Sequence, residues 1–165
     1  MYRRSVLSNQ PNPDHLRRAI ELATQNVLSG KGGPFAAVIV RDGKIIAEAA
    51  NSVTTTNDPT AHGEVNAIRA ACRDLGTFTL TGCEIYSSCE PCPMCLAAIY
   101  WARLGAIYFG CGQQDAAKAG FDDAFLYEEI RKESGVRSVP AQQLLKDEAW
   151  ECFSTWLATP TKVDY

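Results

Sequence analysis

Two short motifs, His-x-Glu and Pro-Cys-x-x-Cys, contain the residues of this chain best suited to metal chemistry. His62, Cys92 and Cys95 supply one imidazole and two thiols, which are common ligands of a zinc ion. Three protein ligands leave a fourth position for water, and such a water loses a proton near neutral pH. Glu64 is then a carboxylate that is not needed as a ligand and can carry protons. Together the motifs predict a catalytic zinc site.

Cys89 offers a competing interpretation, because it precedes Cys92 by the same spacing as Cys92 precedes Cys95. With His62 these three cysteines would form a closed Cys₃His site, which stabilises a fold and catalyses nothing. Glu64 would then be an ordinary acidic residue at a helix start. A redox Cys-x-x-Cys pair is a further alternative, although no thioredoxin-like βαβ start precedes it. The joint pattern favours the open zinc site, while ligand type alone also permits iron.

Both motifs are expected at helix N-termini. Cys92 and Cys95 lie on one face of a helix start, with Pro93 in the first turn, where its missing N–H costs nothing. The positive end of the helix favours the thiolate form. Residues at i and i+2 do not face each other inside a helix, so His62 and Glu64 must lie at a helix entrance, with zinc over its end.

The spacing of apolar residues and turn residues predicts the elements that position these motifs. Asp42-Gly43 between two β-prone runs predicts a hairpin. Asp58 is expected to cap the next helix, with Pro59 as its first residue. Strands that alternate with helices after an opening hairpin predict a three-layer α/β/α fold on a mixed sheet. Helices are predicted over residues 14–29, 59–75, 93–103, 123–131 and 141–157, and strands over 35–41, 44–50, 83–88 and 106–111.

Length and composition restrict the class of protein. A chain of 165 residues that is 46% hydrophobic suits one domain, residues 1–165. Residues 1–5 lack the apolar run of a secretory signal, and the longest apolar run, residues 95–102, is far below the roughly 20 residues of a membrane span. A net charge of −3 weighs against a polynucleotide substrate. Seven cysteines without a secretion signal predict reduced thiols in the cytoplasm. Small core residues are predicted at Cys72, Cys83, Cys111 and Cys152.

Over nearly its whole length the chain resembles the cytidine deaminase superfamily and, within it, the small bacterial guanine deaminases. The zinc motif is shared by the superfamily. Tyr-Trp-Ala-Arg at residues 100–103 and Ala-Gly-Phe-Asp-Asp at residues 119–123 are more typical of guanine deaminases. Gly63 is a departure, since Ala is usual there. The other matching stretches are Gly-Pro-Phe-Ala-Ala-Val-Ile-Val at 33–40, Asn-Asp-Pro-Thr-Ala-His-Gly-Glu at 57–64 and Ser-Cys-Glu-Pro-Cys-Pro-Met-Cys at 88–95.

The resemblance implies a zinc cofactor, a purine base as substrate and a homodimer in which the C-terminal segment can be exchanged between subunits. The tail, residues 158–165, is the expected lid of the active site. The implied roles are zinc ligation by His62, Cys92 and Cys95, proton transfer by Glu64, contact with the exocyclic amine by Asp123, hydrogen bonding of the base by Asn51, pocket lining by Phe35 and pocket closure by Tyr165.

Each residue that depends on the resemblance also has a structural interpretation. Asn51 ends a strand and could shape a turn. Asp123 could be a helix N-cap, and Phe35 could be an ordinary core residue. Tyr165 could be a frayed terminus.

The implied reaction is hydrolytic deamination of guanine to xanthine and ammonia. Glu64 would take a proton from water and pass it to the ring nitrogen beside C2, and Glu64 or Asp123 would then protonate the departing amine. The acidic balance favours a free base or nucleoside over tRNA. The alternatives with the same chemistry are cytosine, guanosine, an aminated triazine and adenosine in tRNA.

Overall fold

A computed structural model describes residues 10–165 and contains a mixed four-stranded sheet between helices. Strand β1 (Ala36–Arg41) pairs antiparallel with β2 (Lys44–Ala50) and with β3 (Cys83–Cys89), while β3 pairs parallel with β4 (Ala106–Cys111). The strand order is β2-β1-β3-β4. The helices are α1 (Pro13–Leu28), α2 (Val53–Thr56), α3 (Gly63–Leu75), α4 (Pro93–Trp101), α5 (Gln113–Lys118), α6 (Asp123–Arg131) and α7 (Lys146–Ala158), with a 3₁₀ turn at Ser134–Val136.

The alternation of side chains along β1 produces three layers. Ala37 and Ile39 pack in the larger core, which includes buried residues of α3 and α4. Val38 and Val40 point to the opposite face and pack with Ala19 of α1. Because successive strand residues face opposite sides of a sheet, this hydrophobic run places α1 on one face and α3 with α4 on the other. The predicted α/β/α architecture is confirmed.

The opening hairpin and the first helix form where the sequence predicts them. Asp42 and Gly43 both adopt positive φ, 51° and 73°, as the two central residues of a type I′ turn require. Helix α1 begins at Pro13, and the Asn12 side chain accepts the Asp14 N–H at 3.0 Å as its N-cap. The predicted strands agree with the observed ones to within one residue at each end.

Two predicted helix starts are wrong. Asp58 accepts hydrogen bonds from the N–H and hydroxyl of Thr60 in a local turn, so the chain does not become helical at Pro59. Helix α3 begins at Gly63 instead. The last helix begins at Lys146 rather than residue 141, after Leu145 in the left-handed conformation (φ 50°). The short helices α2 and α5 were not predicted.

The predicted burial of four cysteines is only partly correct. Cys83 is buried and Cys72 is partly buried, but Cys111 and Cys152 are exposed. Cys111 ends β4, which is an edge strand among the described residues and therefore leaves side chains accessible. Cys152 lies on α7.

By its internal contacts the chain divides into two compact units, which meet in sequence between Tyr127 and Glu128. The first contains the sheet and helices α1 to α5. The second, Glu128–Tyr165, contains the end of α6, the 3₁₀ turn and α7. Among residues 10–165, every helix is too short or too polar to cross a membrane.

Candidate active site

A cavity of about 300 Å³ in the first unit lies at the N-termini of α3 and α4. Its volume is at the small end of the range typical of ligand pockets, about 300–1,000 Å³. It collects residues from the loop before β1, the end of β2, both helix starts and the start of α6. Its lining residues are Gly33, Phe35, Asn51, Val53, Thr54, His62, Glu64, Glu90, Cys92, Phe121 and Asp123.

The two motifs lie at helix entrances, as the spacing predicts. His62 is the N-cap of α3 with extended backbone (ψ 154°), and Glu64 is the second residue of that helix. Cys92 is the N-cap of α4, and Pro93 is the first helical residue. Cys95 therefore lies in the first turn of α4, completely buried. Residues at i and i+2 do not face each other inside a helix. His62 and Glu64 can nevertheless serve one site, because His62 lies outside the regular helix, at its N-cap.

His62, Cys92 and Cys95 form the one group of three potential metal ligands found among residues 10–165, with ligand atoms within 4.8 Å of one another. His62 Nδ1 lies 3.6 Å from Cys92 Sγ and 3.5 Å from Cys95 Sγ. Zinc bonds of about 2.3 Å to sulfur and about 2.0 Å to nitrogen, at a tetrahedral angle, place N and S about 3.5 Å apart. The two distances from His62 Nδ1 to the sulfur atoms therefore fit a shared zinc ion.

The two ligand cysteines differ in acidity because their neighbouring sulfur atoms affect each other. Contact with the Cys95 sulfur, and next with His62, lowers the pKa of the Cys92 thiol. The same contact between the two sulfur atoms, with burial, raises the pKa of Cys95. Contact with Cys92 also raises the pKa of the His62 ring. Cysteine binds metal as the thiolate, and a zinc ion held here would deprotonate both residues.

Cys89 is outside this ligand group. Its Sγ lies 3.8 Å from the carbonyl oxygen of Gly112, and burial raises its pKa to about 12. Its sulfur atom is not among the ligand atoms of His62, Cys92 and Cys95 that lie within 4.8 Å of one another. The geometry therefore disagrees with the closed Cys₃His alternative.

The Glu64 carboxyl group is buried beside the ligand group and held from two sides. Ser87 Oγ donates to its Oε1 at 3.2 Å, and Cys95 Sγ donates to its Oε2 at 3.5 Å. Glu64 is 4% exposed, and this burial raises its pKa above the ordinary value of 4.5. A carboxyl group with a raised pKa is suited to taking up and releasing a proton near neutral pH.

Asp123 supplies a second carboxyl group to the same cavity. It is the first residue of α6, one position after the N-cap that its structural interpretation predicts, and it also lines the cavity. Burial, and next the Cys92 thiolate, raise its pKa above the ordinary value of 3.8. Its neighbour Asp122 is exposed.

Asn51 and Phe35 both line the cavity and also shape it. Asn51 Oδ1 accepts the Val53 N–H at 3.2 Å, which is the turn predicted for it. Within residues 10–165 the two hydrogens of its Nδ2 have no protein acceptor and are available to a ligand. Phe35 packs edge-on against Phe121, with ring centroids 4.6 Å apart, and forms an apolar wall.

Tyr165 belongs to the second unit, where its ring lies edge-on to Trp156 at 6.4 Å. Its predicted closure of the pocket stays a prediction. Other cavity residues were not predicted, although Glu90 and Phe121 lie inside the motifs that carry the resemblance. No sequence pattern predicted Val53 and Thr54 as cavity residues, because they lie in α2, which the sequence does not predict.

Comparison with known proteins agrees with this geometry. Residues 10–111 match the family described as the zinc-binding region of cytidine and deoxycytidylate deaminases. The guanine deaminase of Bacillus subtilis is 53% identical over 150 residues, which cover 91% of this chain and 96% of that protein. The tRNA-specific adenosine deaminase of Agrobacterium fabrum is 47% identical, but over only 47% of this chain and 51% of that protein.

Solved structures give the same result. The X-ray structure of the B. subtilis guanine deaminase matches with a TM-score of 0.91 and 51% identity, covering 94% of this chain and 99% of that one. The guanine deaminase of Nitrosomonas europaea matches with a TM-score of 0.65 and 29% identity, over 70% of this chain and 66% of that one.

Proposed function

Because the chain belongs to the family of zinc-dependent cytidine and deoxycytidylate deaminases, we propose that it hydrolyses guanine to xanthine and ammonia. One observation carries the proposal: the carboxyl groups of Glu64 and Asp123 line the same cavity, as Glu90 does, beside a His-Cys-Cys zinc site. The 53% identity to a guanine deaminase over almost the full length of both chains supports guanine as the substrate.

Zinc held by His62, Cys92 and Cys95 would supply an acidified water and polarise it for attack. Glu64 accepts the proton of that water, because its buried carboxyl group lies beside the ligand Cys95. Glu64 then delivers the proton to the ring nitrogen adjacent to C2 of guanine. These two transfers require a group whose pKa lies nearer to neutrality than that of a free carboxyl group, as burial provides.

Asp123 acts on the departing amine. Its carboxyl group lines the cavity but makes no contact with Ser87 or Cys95 like those of Glu64, so the two acids are held independently. The separate positions allow Glu64 to face the water and Asp123 to accept a hydrogen bond from the exocyclic amine. Once the oxygen of the water has bonded to C2, Glu64 or Asp123 takes the proton of the new C2 hydroxyl group and transfers it to the amine. The C2–N bond then breaks, ammonia leaves and the C2 carbonyl group of xanthine forms.

The size of the cavity and the net charge of the chain favour a free base as the substrate. The cavity of about 300 Å³ is small, and the apolar wall of Phe35 and Phe121 fits the face of a purine ring. The Asn51 amide can donate a hydrogen bond to a ring acceptor. The net charge of −3 disfavours tRNA, since binding of a polynucleotide needs a basic surface.

We also propose that residues 1–165 form one deaminase domain that acts as a homodimer in the cytoplasm, in purine metabolism. Helix α7 exposes Trp150, Phe153 and Leu157 to 58%, 59% and 63%, and such an apolar surface is typical of an interaction site. Exchange of the C-terminal segment between subunits would cover it, with the tail 158–165 and Tyr165 closing the cavity. Light scattering tests the dimer, and a monomer at assay concentration would contradict it.

The test of the reaction is ammonia release from guanine, guanosine, cytosine and adenine by zinc-loaded protein. Release from guanine that is abolished in Glu64→Gln supports the proposal. Release from another compound, but not guanine, would retain the mechanism and reject the substrate.

Deletion of Tyr165 should raise KM for guanine if the tail closes the pocket, and an unchanged KM would reject the lid.

A further inference from the structure

Asn26 is a buried asparagine of α1 whose amide group reaches two residues of the cavity wall. Its Nδ2 donates to the carbonyl oxygen of Asn51 at 2.8 Å and to that of Gly33 at 3.0 Å. Asn26 is only 7% exposed. Asn51 follows β2 whereas Gly33 precedes β1, so a single amide group holds two walls of the cavity that are distant in sequence.

The absence of a side chain at Gly32 makes these contacts possible. A Cβ atom at this position would lie 2.4 Å from the Asn51 carbonyl oxygen and 2.8 Å from Asn26 Nδ2. Both distances are shorter than non-bonded atoms tolerate. The loop before β1 therefore passes directly over the hydrogen bond between Asn26 and Asn51, and encloses it.

The backbone of Asn51 is held at both of its polar groups. Its N–H donates to the carbonyl oxygen of Phe35 at 2.8 Å, and its carbonyl accepts from Asn26. With Oδ1 engaged by the Val53 N–H, the remaining polar group, Nδ2, has a fixed position in the cavity. Loss of the Asn26 amide would leave the buried carbonyl of Asn51 and the partly buried carbonyl of Gly33 without this donor, and would free the Asn51 backbone on one side.

We propose that Asn26 is a positioning residue for binding of the substrate base, acting through Asn51. This inference rests on the proposed function, in which Asn51 Nδ2 donates to guanine. Asn26 itself does not line the cavity and does not touch the substrate. It sets the position from which Asn51 donates its hydrogen bond.

The kinetic test is a double-mutant cycle on guanine deamination. Asn26→Ala should raise KM about tenfold with kcat and zinc content nearly unchanged, since coupled neighbours interact by amounts of that order. In an Asn51→Ala background, Asn26→Ala should have little further effect on KM. An equal increase in both backgrounds would overturn the proposal, as would an unchanged KM in the single variant. Gln25→Ala is the matched control, because the side chain of this exposed neighbour donates to Glu21 rather than to a cavity residue.

Hydrogen exchange gives a readout that does not depend on the substrate. Asn26→Ala should accelerate exchange in the segment 50–53, which contains the amides of Asn51 and Val53, without affecting the segment 83–89. Unchanged exchange in 50–53 would overturn the inference. Wild-type protein that releases no ammonia from guanine would contradict the proposed function alone, and the exchange result would still decide the role of Asn26.

Discussion

Ser87 Oγ donates a hydrogen bond to Glu64 Oε1 at 3.2 Å, which joins the central strand β3 to the start of α3 inside the core. Both side chains are buried, at 1% and 4% exposure. A hydroxyl group and the Cys95 thiol thus hold the two oxygens of one carboxyl group. This fixes the orientation of Glu64 toward the zinc ligands before any substrate binds.

Glu64→Gln should retain about one zinc per chain and lose activity by about 10²–10⁴-fold, the range typical of a lost general acid–base group. The amide can still accept from Ser87 but cannot carry a proton. Ser87→Ala is the matched control, because it removes the hydrogen bond and keeps the acid, and it should lose much less. Steady-state rates with metal analysis measure both variants. Substantial turnover by Glu64→Gln would reject its proposed role.

Asp123→Asn should lower kcat for guanine by about 10²-fold or more, because an amide cannot transfer a proton to the departing amine. Asp122→Asn removes the same charge from the adjacent, exposed residue and should be nearly silent. Stopped-time ammonia assays on both variants give the comparison. Equal losses would mean that Asp123 acts only through local charge or as a helix-start residue.

The sequence predicted the zinc site well because its residues lie in local motifs at helix starts, where spacing determines geometry. His62, Cys92 and Cys95 come together as expected. The helix start at Pro59 could not be predicted reliably, since Asp58 caps either a helix or a tight turn, and its contact with Thr60 decides the outcome. The hydrogen bonds from Ser87 to Glu64 and from Asn26 to Asn51 depend on tertiary packing, which no local pattern encodes.

Cys89→Ser should keep full zinc content and most activity, whereas Cys95→Ser should lose both. The difference follows from position, because only Cys95 lies within the ligand group, while Cys89 contacts the carbonyl of Gly112. Serine is a matched replacement at both sites and preserves side-chain size. Elemental analysis of the purified variants measures zinc per chain. Zinc loss in Cys89→Ser would restore the closed Cys₃His interpretation.

The stability provided by Glu48 should depend on pH. Arg18 binds both carboxylate oxygens of Glu48, at 2.8 and 2.6 Å, and holds its pKa below the ordinary value of 4.5. Because the pKa of Glu48 is lowered in the folded protein, its stabilising contribution is complete above the pKa of the unfolded chain. That contribution is lost as pH falls through the folded-state pKa. Because the pair is partly exposed, Glu48→Gln should cost less than about 1 kcal/mol at neutral pH.

Urea unfolding of wild type and Glu48→Gln, compared at the same pH, tests this dependence. The difference in unfolding free energy should shrink below pH 4.5 and vanish once Glu48 is protonated in the folded protein. Glu21→Gln, which removes another carboxylate partner of Arg18, is the control. If the difference in unfolding free energy between wild type and Glu48→Gln grew as pH falls, the predicted direction of the pH dependence would be wrong.

Gly63→Ala should destabilise this chain, even though alanine is a better helix former. A Cβ atom at position 63 would lie 2.8 Å from Ala36 Cα, so α3 or β1 must move. Overpacking costs about 1–3 kcal/mol, against a gain in helix propensity of about 1 kcal/mol at most, and the clash therefore outweighs the gain. The displaced helix start carries His62 and Glu64, so kcat should fall as well. Gly135→Ala is the control, because its added Cβ would meet nothing within 4 Å. Thermal unfolding measures both variants, and a Gly63→Ala protein as stable as wild type would show that β1 yields without cost.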